Sequence, residues 1–175
     1  MADPTTNFAR TIRKEAARLG FSAIGFSSPI PQPIAIERYN TMIAEHRHGE
    51  MTYMEHRLDE RAMPSMLLPD LKTIISAAIS YNNPVDTIAG QPVISKYALI
   101  DDYHTVVREK LQQLLDYLKA LLGEDLNATI TVDSSPVLEK TFHSLIGVNA
   151  RRQLQRTCIG TSLPLGQARI RIHAG

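Results

Sequence analysis

The stretch Thr129-Ile130-Thr131-Val132-Asp133-Ser134-Ser135-Pro136 decides how this chain is read. β-Branched residues run into an acid, and two small hydroxyls and a proline follow. That pattern predicts a short strand that delivers Asp133 to the rim of a sheet. Pro136 has no backbone donor and restrains Ser135, so the ladder is expected to stop close to Asp133. Strand ends at the rim of an α/β sheet are where ligands bind. The same acid also suits a plain strand-to-loop turn, where it accepts local backbone N–H bonds. Spacing alone leaves both readings open.

The strand needs partners, and the flanking sequence supplies them. Before it, Val106, Val107, Leu111, Leu114, Leu115, Leu118, Leu121 and Leu122 form a 3.6-period stripe that predicts a long helix. Asp101 and Asp102 are its candidate N-caps and Gly123 its stop. Further upstream, residues 71–79 carry Ile74, Ile75, Ala77, Ala78 and Ile79, a near-continuous apolar run that predicts a strand buried on both faces. Residues 7–19 place Phe8, Ile12, Ala16 and Leu19 at helical spacing before Gly20, and residues 21–26 read as a strand. Pro29, Pro31 and Pro33 make a stiff link to a further helix over residues 34–47. The order helix, strand, helix, strand, helix, strand predicts an α/β sandwich with a mixed sheet flanked by helices.

Composition bounds the partners. With 175 residues, 43% hydrophobic and 21% charged, the chain is expected to be one soluble, cytoplasmic domain with a real core. A net charge of +1 advertises neither nucleic acid nor membrane. No apolar run is long enough for a membrane span, and Met1-Ala2-Asp3-Pro4 does not begin a secretory signal. The single cysteine, Cys158, makes no internal disulfide and cannot alone hold an iron–sulfur cluster or a four-ligand zinc site. Charge is unevenly spread: every acid lies at or before Glu139, and Lys140 is the last lysine. Beyond it the formal charges are Arg151, Arg152, Arg156, Arg169 and Arg171.

Chemistry-bearing motifs are few. There is no glycine-rich phosphate loop, no zinc-protease histidine pair, no paired-cysteine motif and no nucleophile elbow. Six histidines form no recognisable metal-ligand set; His46 and His48, two apart, would share a face only on a strand. His48-Gly49-Glu50-Met51-Thr52-Tyr53-Met54 reads either as a binding loop or as a turn under the core with methionines filling gaps. Arg57 and Arg61 follow, able to grip a phosphate or carboxylate or simply to be solvated. Asp102-Tyr103-His104 puts a histidine beside a helix cap.

Three segments taken together resemble a known family. They are His48–Met54 as quoted, Ser95-Lys96-Tyr97-Ala98 with Asp102-Tyr103-His104, and Val132-Asp133-Ser134-Ser135-Pro136-Val137-Leu138-Glu139-Lys140. In this order and spacing they are similar to the cobalamin-binding N-terminal domain of epoxyqueuosine reductase, over about residues 7–147. The resemblance implies reduction of an epoxide on a modified wobble base of tRNA to an alkene. It implies electrons passing from two 4Fe–4S clusters to cobalamin, with Asp133 as proton donor at the cofactor. It implies cobalamin contacts at Arg61, Ser95, Asp133 and Lys140; at the last, family members often carry arginine, so the charge stays and the bidentate fork is lost.

The likeness then departs. After Gly147-Val148 comes Asn149-Ala150-Arg151-Arg152-Gln153, where the family has a second glycine and an aromatic, and Ile100 stands at a family glycine. The family's cysteine clusters have no counterpart here. Residues 1–147 are therefore expected to form the cobalamin-binding-like domain. Residues 148–175 are expected to be a divergent Arg-rich tail, disordered or frameshifted. Two functional classes follow: an incomplete reductase without its electron relay, or a stand-alone corrinoid-binding or RNA- and partner-contacting module.

Overall fold

The computed structural model describes residues 4–80, 102–132, 135–138, 141–142 and 154–161. Its longest element is the helix Tyr103–Leu122, here α4, after α1 (Pro4–Arg18), α2 (Pro33–Ala44) and α3 (Leu58–Ala62). The leucine stripe explains α4: Val107, Leu111, Leu114, Leu115 and Leu118 are buried along one face. Val106, expected in the stripe, is exposed. Asp102 caps the helix by accepting the His104 N–H at 3.0 Å. At the other end Gly123, at φ 122°, ends it by donating to the Lys119 carbonyl at 2.8 Å.

Helix α1 buries Ala9, Ile12, Ala16 and the following Leu19. Phe8 is 37% exposed, so the buried stripe passes through Ala9 instead. Gly20, at φ 88°, ends the turn, and Phe21 N donates to the Ala16 carbonyl at 2.9 Å. The Lys110 ammonium of α4 reaches across and donates to the Leu19 carbonyl at 2.6 Å. A cation from one helix thus satisfies the open carbonyl end of the other.

Four strands form one sheet: β1 (Ala23–Ser27), β2 (Thr73–Ser80), β3 (Ala128–Thr131) and β4 (Leu154–Thr161), in the order β1-β2-β4-β3. Strand β2 is buried on both faces, as its apolar run predicts. Ile75 and Ala77 join α1 and α4 in the main core, together with Phe21, Ile24, Phe26 and Ile159. Ile74 faces the other way and packs with Leu68, Leu71 and Phe142.

Two expectations change. A mixed sheet was expected, but all three pairings among the described residues are antiparallel. Reading a helix between each pair of strands suggested parallel crossovers. Helix α2 buries none of its residues and so makes no crossover layer, and the chain returns antiparallel. The helices α1 and α4 share one face of the sheet. On the other face the described covering comes from Leu68, Leu71, Val137 and Phe142.

The second change concerns the tail. Leu154–Thr161 is no disordered end: as β4 it lies between β2 and β3 and pairs with both. Its sequence, LQRTCIGT, shows no alternation of apolar residues. Pairing on two sides explains why it is nonetheless a strand, because its backbone groups find partners in both neighbours. Among the described residues no helix is long and apolar enough to cross a membrane.

Candidate functional site

The segment after α2 is built from tight turns. His46 and Arg57 adopt left-handed backbone, at φ 54° and 58°, and Gly49 does so at φ 61°. Non-glycine residues pay for that conformation, so the chain here is set by its surroundings rather than by local preference. Gly49 N donates to the His46 carbonyl at 3.3 Å and Met51 N to the His48 carbonyl at 3.2 Å. A single 3₁₀ turn, Thr52–Glu55, follows. The result buries His48, 2% exposed, with Nε2 2.6 Å from Glu55 Oε1.

Met51 is 46% exposed and Tyr53 63%, so these two do not fill the core. Met63 and Met66 are exposed as well. Of the two readings of this loop, gap-filling under the core does not describe them.

Arg61, near the end of α3, is half-buried and lies over the Tyr39 ring at 5.4 Å. Tyr39 donates its hydroxyl to the Met54 carbonyl at 2.8 Å, so one aromatic ring ties α2 to the 3₁₀ turn and to α3. Burial raises the Tyr39 hydroxyl above its ordinary range, with the Arg61 charge pulling the other way. The Arg61 Nε is buried and has no hydrogen-bond partner. A cationic group held by a ring, with one N–H donor lacking an acceptor, suits an anionic or amide ligand. Arg57 is engaged differently, in an ion pair with Glu60.

Three residues on, Pro64 opens the wall of a hollow lined also by Leu67, Leu68, Leu71, Ile74, Thr129, Thr131 and Val137. It is a shallow hollow of about 20 Å³, little more than water-sized and partly open to solvent, far below the volume of a site that encloses a drug-sized ligand.

β3 ends at Thr131, and Pro136 stands outside the ladder, as the opening stretch predicts. Thr131 and Val132 are buried up to the point where the acid follows. Asp133, Ser95 and Lys140 themselves lie outside the described residues, so Arg61 is the one predicted contact with a described position. At α4 the second motif shows its cap: Asp102 Oδ1 is 2.8 Å from His104 Nδ1, and the Tyr103 and His104 rings stack at 3.9 Å. The His104 side-chain bond, then its backbone N–H, hold the Asp102 carboxyl below the usual range.

Sequence reasoning missed the meeting of His46, His48 and Glu55, whose ligand atoms lie within 4.8 Å of one another. An i, i+2 spacing signals proximity only in a strand. Here a left-handed His46 curls the chain, and Gly49 was the one visible hint.

The chain is similar in sequence and in fold to the epoxyqueuosine reductases. Residues 61–134 match the family model described as "Epoxyqueuosine reductase QueG, DUF1730". The epoxyqueuosine reductase of Cellulophaga algicola is 36% identical over 137 residues, covering 78% of this chain and 44% of that protein. The crystal structure of an epoxyqueuosine reductase with a tRNA-Tyr epoxyqueuosine-modified stem loop superposes at TM-score 0.75 and 19% identity, covering 94% of this chain and 48% of that one. A Bacillus subtilis epoxyqueuosine reductase, described with its catalytic aspartate loop swung out of the active site, gives 0.74 and 19%, covering 98% and 50%. The chain is thus related to the epoxyqueuosine reductases, and it spans about half the length of the relatives it matches.

Proposed function

We propose that this chain is the cofactor-binding part of an epoxyqueuosine reductase, acting in the cytoplasm on epoxyqueuosine in tRNA with cobalamin at its site. The observation that carries this reading is the half-buried Arg61, one hydrogen bond short, three residues before an apolar hollow whose wall includes Thr131. Asp133 comes two residues after Thr131, in the stretch matched by the family model.

The residues fit cobalamin in part. Apolar walls suit the edge of a corrin, and Arg61 suits a side-chain amide or the nucleotide phosphate. Ser95 and Lys140 are proposed as further contacts. Bound cobalamin would supply a low-valent metal able to attack carbon. The chain's own contribution would be positioning and a proton. An opened epoxide bears an alkoxide, and its loss as water needs an acid, which Asp133 would hold. A carboxyl stays protonated near neutral pH only when burial raises its pKa, and apolar surroundings favour that.

Iron–sulfur clusters do not fit this chain. A 4Fe–4S cluster takes four thiolate ligands, and the sequence has one cysteine. Electrons would have to come from elsewhere, so the 175-residue chain alone is expected to show no turnover with a physiological reductant. A frameshift past codon 147 would explain the acid-free, lysine-free end. Translating the encoding DNA in its other frames tests this: cysteine clusters in another frame support it, and their absence from every frame removes it.

A titration of the chain with cobalamin, followed by visible absorbance, tests the binding claim. Saturable spectral change is expected, weakened about tenfold or more in Arg61→Ala, or ~1.4 kcal/mol. No change at high micromolar cobalamin would overturn the reading. Asp133→Asn is expected to keep cobalamin affinity within about twofold, because its proposed role is in proton supply.

The alternative, a stand-alone module using a free basic tail on RNA, is weakened by β4. Residues 154–161 pair with strands on both sides, so this part of the tail is not a free segment.

A further inference from the structure

The turn between α2 and α3 brings together two imidazoles and a carboxylate that the reaction above does not use. His46 and His48 have ring centroids 6.0 Å apart, and one ligand atom from each, with one from Glu55, lie within 4.8 Å of one another. We propose that His46, His48 and Glu55 form a binding site for a divalent transition cation of the zinc class.

Three features support it. The ligand set is two nitrogens and one carboxylate oxygen, the donors that borderline cations such as zinc prefer over magnesium or calcium. The His48 side chain is 2% exposed, and its Nε2 already faces Glu55 Oε1 at 2.6 Å, so a buried imidazole nitrogen is set beside a carboxylate before any cation enters. Finally, the geometry can close. Ligand bonds of about 2.0–2.2 Å in a tetrahedron put ligand atoms roughly 3.3–3.5 Å apart. The furthest pair, at up to 4.8 Å, must therefore approach by about 1.5 Å. Side-chain rotation of His46 and Glu55, both exposed, supplies that movement while buried His48 stays fixed. The 2.6 Å contact between His48 and Glu55 opens as the cation enters.

Nearby charge does not oppose the cation. The Arg47 guanidinium is paired with Glu45, and Arg57 with Glu60. Three protein ligands leave a fourth position for water, so the site is not a closed structural one. Its effect on the fold is a clip joining the turn around Gly49 to the 3₁₀ turn that carries Glu55.

The test uses the full 175-residue chain, untagged and treated with a chelator. Cobalt(II) is titrated in and followed by its tetrahedral d–d absorption, then displaced with zinc; calorimetry with zinc alone gives stoichiometry. One equivalent is expected, with affinity reduced at least tenfold in His46→Gln and in Glu55→Gln. His48→Gln is expected to abolish binding, but its buried position makes unfolding a second explanation, so the two exposed variants decide. Their circular dichroism should match the parent without metal. His104→Gln, away from the cluster, is expected to bind normally. No saturable signal at about 100 μM metal, or full affinity in both exposed variants, overturns the site.

Discussion

At the residue scale, Asp102 shows how one carboxylate couples helix stability to pH. Its pKa is lowered chiefly by the His104 side chain and then by the His104 N–H. A depressed carboxylate contributes stability above its unfolded pKa and loses it as pH falls through its folded one. Asp102→Ala is therefore expected to lower the thermal midpoint at neutral pH, and the gap to the parent should narrow on acidification below the ordinary carboxylate range. Melting curves over a pH series check this; a gap independent of pH would show that the charge is not what caps α4. Sequence inspection found this cap, because an acid before an apolar stripe is a local signal. It did not find the His46–His48–Glu55 cluster, because left-handed backbone at a histidine leaves no mark in composition or period. Arg61 was legible as an arginine able to grip a phosphate or carboxylate, but its stacking on Tyr39 depends on two elements meeting.

Elements divide by what specifies them. Helix α4 is written in its own side chains, with Leu111, Leu114 and Leu118 fully buried at successive turns. Leu114→Ala leaves a cavity where no exposed route allows collapse, so a loss of about 2–5 kcal/mol is expected. Urea unfolding with an unchanged m-value checks it, and a loss under about 1 kcal/mol would mean the core there is loosely packed. Strand β2 was equally legible from its unbroken apolar run. Strand β4 was not: Ile159 is buried, but its neighbours in sequence follow no period of two. Its identity as a strand comes from β2 and β3, which accept it on either side. Antiparallel order was illegible for a related reason, since helical pattern does not say whether a helix lies against the sheet. Helix α2 has an apolar composition and yet buries no residue.

For the molecule as a whole, likeness to the epoxyqueuosine reductases was readable in three motifs, and the sheet accounts for how other segments far apart in sequence approach one place. The Thr129–Thr131 side of β3 and the Pro64–Leu71 segment line the same hollow. Removing residues 148–175 takes out β4 and separates β3 from β2, so the shortened chain is expected to lose cooperative unfolding. Hydrogen exchange reads this directly: fast exchange across β2 and β3 is the expected result, and retained protection would mean the sheet closes without β4. The strand order also bears on synthesis. Of the described strands, β3 has no neighbour but β4, and one edge of β2 waits for the same partner. On the ribosome both edges stay open until residue 161 has emerged, long after β2 has been made. Through that interval the nascent chain offers two unpaired ladders to any other strand, and holding them apart falls to whatever meets it at the exit tunnel.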